Sequence, residues 1–296
     1  MKKVLLLFSK LSIVEGLTHP DDLVKLLNES GENIEASAAT LEDLIFYFDG
    51  DKAEIMVDHE HKLGDYQAVY FRHWSLAPGH GLAAARYCKL RGIPFVDKEV
   101  LRTGSQNKIS QYMNLYEAKV DIPKTLIGNT KRLEESYAEF GFSFPMILKS
   151  ISGTRGQDNY LARDQQAMRR IFAQNPNVIF VMQEFIANDG DYRVIVMGDE
   201  VVAVIRRQAT GDTHLNNTSQ GGSAKLVPVT DLPSEVCEMS VRAAKFFGRD
   251  IAGVDIVKSL DNGKYYCFEV NRAPQIEHSS FEHEKAVLLA RYLKSL

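Results

Sequence analysis

Two apolar runs late in the chain, residues 252–259 and 264–271, flank the triplet Asp261-Asn262-Gly263. Asparagine and glycine accept the backbone of a tight reversal, so this segment reads as a β-hairpin. A lone hairpin is barely stable in water, and one face of it must pack on further strands or a helix. The second half of the chain is therefore built around a sheet. The breaks in the apolar runs are Asp255 on one strand and Glu269 and Asn271 on the other. Glu269 and Asn271 are two apart and share a face. Three oxygen-bearing side chains on a rigid hairpin suit Mg²⁺, with nucleotide phosphates and water completing the octahedron. A hairpin with a polar solvent face fits the same letters. Against it, Asp255 lies among continuous apolar residues, and a buried carboxylate needs a partner.

The metal reading also sets the register. A two-residue Asn262-Gly263 turn pairs Asp261 with Lys264, and facing residue numbers then sum to an odd total. Asp255 and Glu269 would point to opposite faces. A shared metal requires an even sum, with Asp255 opposite Glu269 or Asn271. A three-residue loop pairing Leu260 with Lys264, with Gly263 left-handed in a bulge, achieves this, as does a bulge further along the strands. The even sum is expected.

Residues 1–100 alternate short apolar runs with helical patterns. Strands are expected at 4–8, 68–71 and 93–96, with helices behind Pro20-Asp21-Asp22, from Thr40 through Phe48, and over 82–90 up to Gly92. This is the pattern of a small parallel α/β unit. It contains no GxGxxG, so a dinucleotide-binding dehydrogenase loses its main support. From about residue 100 the pattern turns to α+β. Helices are expected at 108–118, 131–140, 164–174, 234–247 and 281–295, and strands at 144–149 and 178–184. A second hairpin covers 192–197 and 200–206.

Composition closes off other classes. The chain has 296 residues, enough for two ordinary domains, and 35 Lys and Arg against 39 Asp and Glu leave a net charge of −4. A basic nucleic-acid-binding face is disfavoured. The apolar run at 4–8 is far too short to span a membrane or to form a signal-peptide core. Three scattered cysteines without a CxxC argue against a disulfide framework and for reduced thiols in a cytoplasm. No Ser–His–Asp or Cys–His arrangement points to a covalent enzyme intermediate.

Other segments carry possible phosphate chemistry. Lys149 ends an apolar strand and is followed by Ser150-Ile151-Ser152-Gly153-Thr154-Arg155-Gly156. Small residues let backbone N–H groups approach phosphates, and the lysine supplies a point charge. The lysine precedes the glycines, so this is no P-loop. Residues 152–157 are expected to be a mobile lid. The run Gln183-Glu184-Phe185-Ile186 ends another strand with the ingredients of an adenine pocket, and Asp191-Tyr192-Arg193 follows. Arg206 and Arg207 are adjacent on one strand, so at most one faces the site, and Arg206 is expected in solvent. Arg72 lies past the 68–71 strand, where open α/β sheets bind ligands, and is a candidate for a substrate carboxylate.

The segments ILK–SGTRG, QEFI…DYRVIVMGDEVVAVIRR, NNTSQGG and AGVDIV…FEVNRAP, in this order, resemble the ATP-grasp superfamily and its RimK-like branch of carboxylate–amine ligases. The likeness is best over residues 105–275. It implies an α/β, Rossmann-like pre-ATP-grasp domain over 1–100 and an α+β ATP-grasp domain over 101–296, with a lid subdomain about 120–185 and a metal-binding subdomain about 186–296. It implies ATP phosphates at Lys108 and Lys149 with the Ser152, Gly153, Thr154 and Gly156 loop, and adenine and ribose against Glu184, Phe185, Ile186 and Asp191. Arg207 and Asn217 would stand by the γ-phosphate. Asp255, Glu269 and Asn271 would hold two Mg²⁺, with Mn²⁺ as the substitute. Arg193 and Arg272 join Arg72 as substrate candidates.

The implied partners are a small-molecule or peptide carboxylate and an amine, in a homo-oligomer, with neither nucleic acid nor membrane. Two departures stand on the acceptor side. Asn271-Arg272-Ala273-Pro274-Gln275 replaces the family's Asn-Ala-Ser-Pro-Gly, and Gln220 replaces a basic residue before Gly-Gly, so the usual substrates do not carry over. A phosphotransferase using the same ATP site is the alternative function, and a nucleotide-binding module without turnover is a further one.

Overall fold

The computed structural model describes residues 1–102, 107–151, 159–208 and 223–296. The chain opens with β1 (Lys2–Phe8), α1 (Lys10–Val14), α2 (Pro20–Asn28), β2 (Ile34–Thr40), β3 (Ile45–Phe48), β4 (Ala53–Met56), β5 (Ala68–Phe71), α3 (Pro78–Arg91) and β6 (Phe95–Val96). A parallel sheet forms in the order β2-β1-β5-β6. Its central strand β1 is apolar without alternation because both faces are covered. Val4, Leu6 and Phe8 join one hydrophobic cluster, and Leu5 and Leu7 join another beneath α3. Helix α3 ends at Gly92, whose φ of 67° places it in the left-handed region that closes helices.

One expectation here fails. Residues 44–48 are not helical: a 3-10 turn at Leu41–Asp43 leads into β3, which pairs with β4. The Thr40 hydroxyl bonds the Asp43 carboxylate instead of capping a helix. Ile45-Phe46-Tyr47-Phe48 is β-favouring and reaches Asp49-Gly50 after four residues, too soon for a stable helix.

A second sheet follows α4 (Lys108–Glu117). It comprises β7 (Thr125–Asn129), β8 (Met146–Ser150), β9 (Asn159–Ala162) and β10 (Ile179–Glu184), antiparallel in the order β7-β10-β8-β9. Helices α5 (Thr130–Ser136) and α6 (Gln165–Gln174) bury Leu133, Met168 and Phe172 against it. α5 stops short of the expected 140.

The third sheet runs β13-β12-β11-β14-β15, from β11 (Asp191–Met197), β12 (Glu200–Gln208), β13 (Ser223–Val227), β14 (Ile251–Lys258) and β15 (Tyr265–Arg272). Helix α7 (Ser234–Phe247) covers the face that carries Val194, Val204, Val254 and Val270. The last helix, α8 (Glu282–Ser295), returns to the first sheet. There Leu289 and Leu293 pack with Val4, Leu6 and Leu23, and also with Ile195 and Ile251 of the third sheet. One apolar cluster thus joins the first sheet to the third. No helix among the described residues is long and apolar enough to cross a membrane.

Candidate active site

The register of the third sheet decides which polar side chains meet. Asp255 stands opposite Glu269, and Gly253 opposite Asn271, so the two acids and the amide share a face, as a common metal requires. The route differs from the three-residue loop. Ser259 N–H bonds the Lys264 carbonyl across a four-residue loop, which gives the odd sum at the turn. A bulge then shifts the pairing: Ile256 faces Cys267 while Asp255 faces Glu269, leaving Phe268 as the extra residue.

The same face continues across the sheet. Arg193 faces Asp255, and Asp191, two residues earlier, faces Arg207. Arg207 donates from Nε and Nη2 to the Asp191 carboxylate at 2.6 and 2.9 Å, and from Nη2 to Asp255 Oδ1 at 2.9 Å. Arg193 Nε lies 2.6 Å from the same oxygen, close enough for an ion pair but off the line of a hydrogen bond. Asn271 Nδ2 donates to Asp255 Oδ2 at 3.0 Å. Gly253 permits this crowding, because a Cβ there would stand 2.9 Å from Arg193 Nη1. Arg206 points to the other face and bonds the Tyr192 hydroxyl at 2.6 Å and the Asp189 carboxylate at 2.8 Å, so it is paired rather than free in solvent.

The second sheet supplies the facing wall. Lys149 Nζ donates to Gln183 Oε1 at 2.8 Å and lies 5.1 Å from the centre of the Phe268 ring, next to Glu269. Lys108 Nζ donates to the Ser150 carbonyl at 2.7 Å. Gln183 is fully buried, and its amide nitrogen donates to the Tyr112 hydroxyl and to Thr125 Oγ1, both at 3.2 Å. With its donors taken, its oxygen is aimed at Lys149. Burial pushes the Lys149 pKa down to about 8 against the pull of Glu269. Burial and the Asp255 charge raise that of Glu269, although its side chain still meets solvent.

Residues 185–190 link the two sheets. Ile186 is buried, Phe185 half-buried, and Glu184 Oε1 accepts the Lys124 N–H at 2.6 Å. Gly190 has φ of 135°, and a Cβ there would sit 2.4 Å from the Arg207 carbonyl oxygen. The link is pressed against β12.

Both carboxylate oxygens of Asp191 accept from Arg207. Two expected contacts are redirected. Arg72 is not open to a substrate: it is fully buried and pairs with buried Glu277 at 3.1 Å. Arg272 holds Glu99 through two contacts of 2.8 Å and lies over the Trp74 ring. In each arginine case a carboxylate distant in sequence satisfies the charge, which no local pattern shows. Ser152, Gly153, Thr154, Gly156 and Asn217 lie outside the described residues, as does the expected lid at 152–157. Gln183 stands in the run expected to build an adenine pocket, but its side chain turns to Lys149 instead, and Tyr112 behind it carries no signal in the sequence.

A family model described as the RimK-like ATP-grasp domain matches residues 105–292. The chain belongs to the RimK-like ATP-grasp family. A relative from Alkalilimnicola ehrlichii, named a probable alpha-L-glutamate ligase, is 32% identical over 202 residues, 67% of this chain and 65% of its own. The chain therefore spans just under two thirds of that relative. A ribosomal protein bS6–L-glutamate ligase from Escherichia coli is 30% identical over 220 residues, 73% of this chain and 72% of its own. Among solved structures, the ATP-grasp ligase PsnB complexed with a minimal precursor superposes with a TM-score of 0.69 at 18% identity. The match covers 99% of this chain and 98% of that one, a likeness of fold. The α/β sheet followed by two antiparallel sheets is the expected RimK-like, ATP-grasp class of fold.

Proposed function

We propose that this protein is an ATP-dependent carboxylate–amine ligase that forms an amide through an acyl phosphate. The observation that carries the reading is the two-walled cleft, with Lys108 at the start of α4 and Lys149 on the second sheet along one wall and Asp255, Glu269 and Asn271 of the third sheet along the other. Polyphosphate fits between the lysines and a cation-binding floor. Asp255 and Glu269 face each other and raise the cost of ionising both, which a divalent cation relieves. Bound there by Asp255, Glu269 and Asn271, one or two Mg²⁺ would neutralise charge on the phosphates.

The protein's own residues orient and stabilise. Lys149, held by Gln183, places a positive charge beside the phosphates. Arg207, fixed by Asp191, presents its guanidinium across the same floor, where charge develops on the transferring phosphoryl group. A substrate carboxylate oxygen attacks the γ-phosphorus, and the bond to the β-phosphate oxygen breaks, releasing ADP. The amine then attacks the acyl carbon, loses a proton and expels phosphate. Positioning supplies most of the acceleration in such a sequence.

The substrate class we favour is a peptide or amino-acid carboxylate joined to an amino-acid amine. It follows the glutamate-ligase names of the relatives and the precursor complex of the solved neighbour. Purified protein incubated with Mg-ATP and pooled amino acids and peptides should release ADP and phosphate with a new amide detectable by mass spectrometry. A stable phosphoester in place of an amide, or no ADP release with any pool, overturns the reading.

A further inference from the structure

Away from the cleft, two histidines and a carboxylate meet where α2 approaches the segment after β15. His19 precedes the first residue of α2, and Asp22 lies on its first turn. His278 arrives from the far end of the chain. The two imidazoles stack with centroids 4.2 Å apart and planes within 7°. His278 Nε2 lies 2.7 Å from Asp22 Oδ2. One donor atom from each of the three side chains lies within 4.8 Å of the other two.

The surrounding contacts build this meeting. Glu277 accepts from the Thr18 hydroxyl at 2.7 Å and from the His19 N–H at 3.2 Å, tying the two segments together. His278 has φ of 53°, a left-handed backbone rare for a residue with a side chain. Its N–H donates to Glu282 Oε2 at 3.0 Å.

We propose that His19, Asp22 and His278 bind a divalent transition metal, with Zn²⁺ the best match. An ionised carboxylate only accepts, so the Asp22–His278 contact holds a proton on Nε2, along the line a metal would occupy. Two imidazoles and one carboxylate leave a fourth position for water, a set found in tetrahedral zinc sites. Nitrogen ligands select Zn²⁺, Co²⁺ or Ni²⁺ over Mg²⁺, unlike the oxygen-rich floor of the cleft. Metal–nitrogen bonds of about 2.0 Å place tetrahedral ligand atoms roughly 3.3 Å apart. Asp22 and His278 are already close enough. His19 needs only to swing out of the parallel stack, which a half-buried side chain beside two exposed ones allows. Bound metal would staple α2 of the first sheet to the segment that follows Arg272.

The test uses the full chain, stripped of metal and kept in excess Mg²⁺ so that the oxygen-rich cleft is occupied. Titration with Co²⁺ alone should give the visible absorption of one tetrahedral, nitrogen-bound ion. Zn²⁺ should displace it and raise the thermal midpoint. His19→Ala and His278→Ala should each weaken Co²⁺ binding by about tenfold or more, and Asp22→Asn should weaken it with the fold intact. No tetrahedral spectrum from the parent chain, or an unchanged one in the His19→Ala/His278→Ala double variant, overturns the proposal. ADP release in Mg²⁺ does not involve these residues and reports on the ligase reading separately.

Discussion

Lys149 holds its charge between an amide oxygen and an acid on the facing sheet, in surroundings that favour its neutral form. A phosphate would restore the balance. Lys149→Ala should therefore weaken ATP binding by about 1.5–3 kcal/mol, the worth of a charge-assisted contact. Calorimetric titration with ATP would show it, with an unchanged circular dichroism spectrum; equal affinity in parent and variant would remove the phosphate role. Gln183 makes a different prediction, because it touches no phosphate in this arrangement. Gln183→Leu leaves the Tyr112 and Thr125 hydroxyls facing an apolar side chain in a buried place. It should lower stability by about 1–3 kcal/mol in urea unfolding and raise KM for ATP more than it lowers kcat. An unchanged KM would show that Lys149 is placed without it.

At the scale of elements, the decisive feature is the bulge in the β14–β15 pair. Its one extra residue brings Asp255 and Glu269 to the same face, while the apolar residues beyond still reach α7. The link over 185–190 is the second such feature, since it sets the second sheet over the third. Gly190→Ala should force the link away from β12, because the new methyl meets the Arg207 backbone and φ is positive there. A drop in thermal midpoint together with loss of ADP release is expected. Parent-like turnover would mean that the link does not position Arg207.

For the molecule as a whole, the first and third sheets are held together by buried ion pairs as well as by the shared apolar cluster. Glu99, just after β6, binds Arg249 and Arg272 at 2.8–3.0 Å, and Arg72, just after β5, binds Glu277. The arginines offset the burial of Glu99 and hold its pKa at about 2, against an ordinary 4.5. A depressed acid stabilises the fold above its unfolded pKa, and that contribution is lost as pH falls through the folded value. Glu99 should therefore add about 3 kcal/mol above pH 4.5, vanishing towards pH 2. Urea unfolding as a function of pH should show this slope in the parent and a shallower one in Glu99→Gln. Equal slopes would mean that the pairs are not maintained in solution.

Much of this protein was legible from local pattern. The helices over 234–247 and behind Pro20, strand β5 and both C-terminal hairpins follow from periodicity, proline and glycine punctuation and helix caps, all set by neighbours in sequence. The acid and amide positions on β14 and β15 were legible for the same reason, since a strand alternates its faces. Their meeting was legible only through the chemistry of a shared metal, because the Asn262-Gly263 turn signal by itself gives the other parity; that a bulge at Phe268 rather than a three-residue loop delivers it was decided by the pairing of the two strands. The fates of Arg72 and Arg272 were hidden. A guanidinium buried by a distant packing partner takes whatever carboxylate is buried with it, and Glu277 and Glu99 become neighbours only when the first and third sheets close on α8. Sequence alone determined which residues carry charge and which face of each strand they occupy; tertiary packing decided which charges pair with each other and which remain turned towards the cleft.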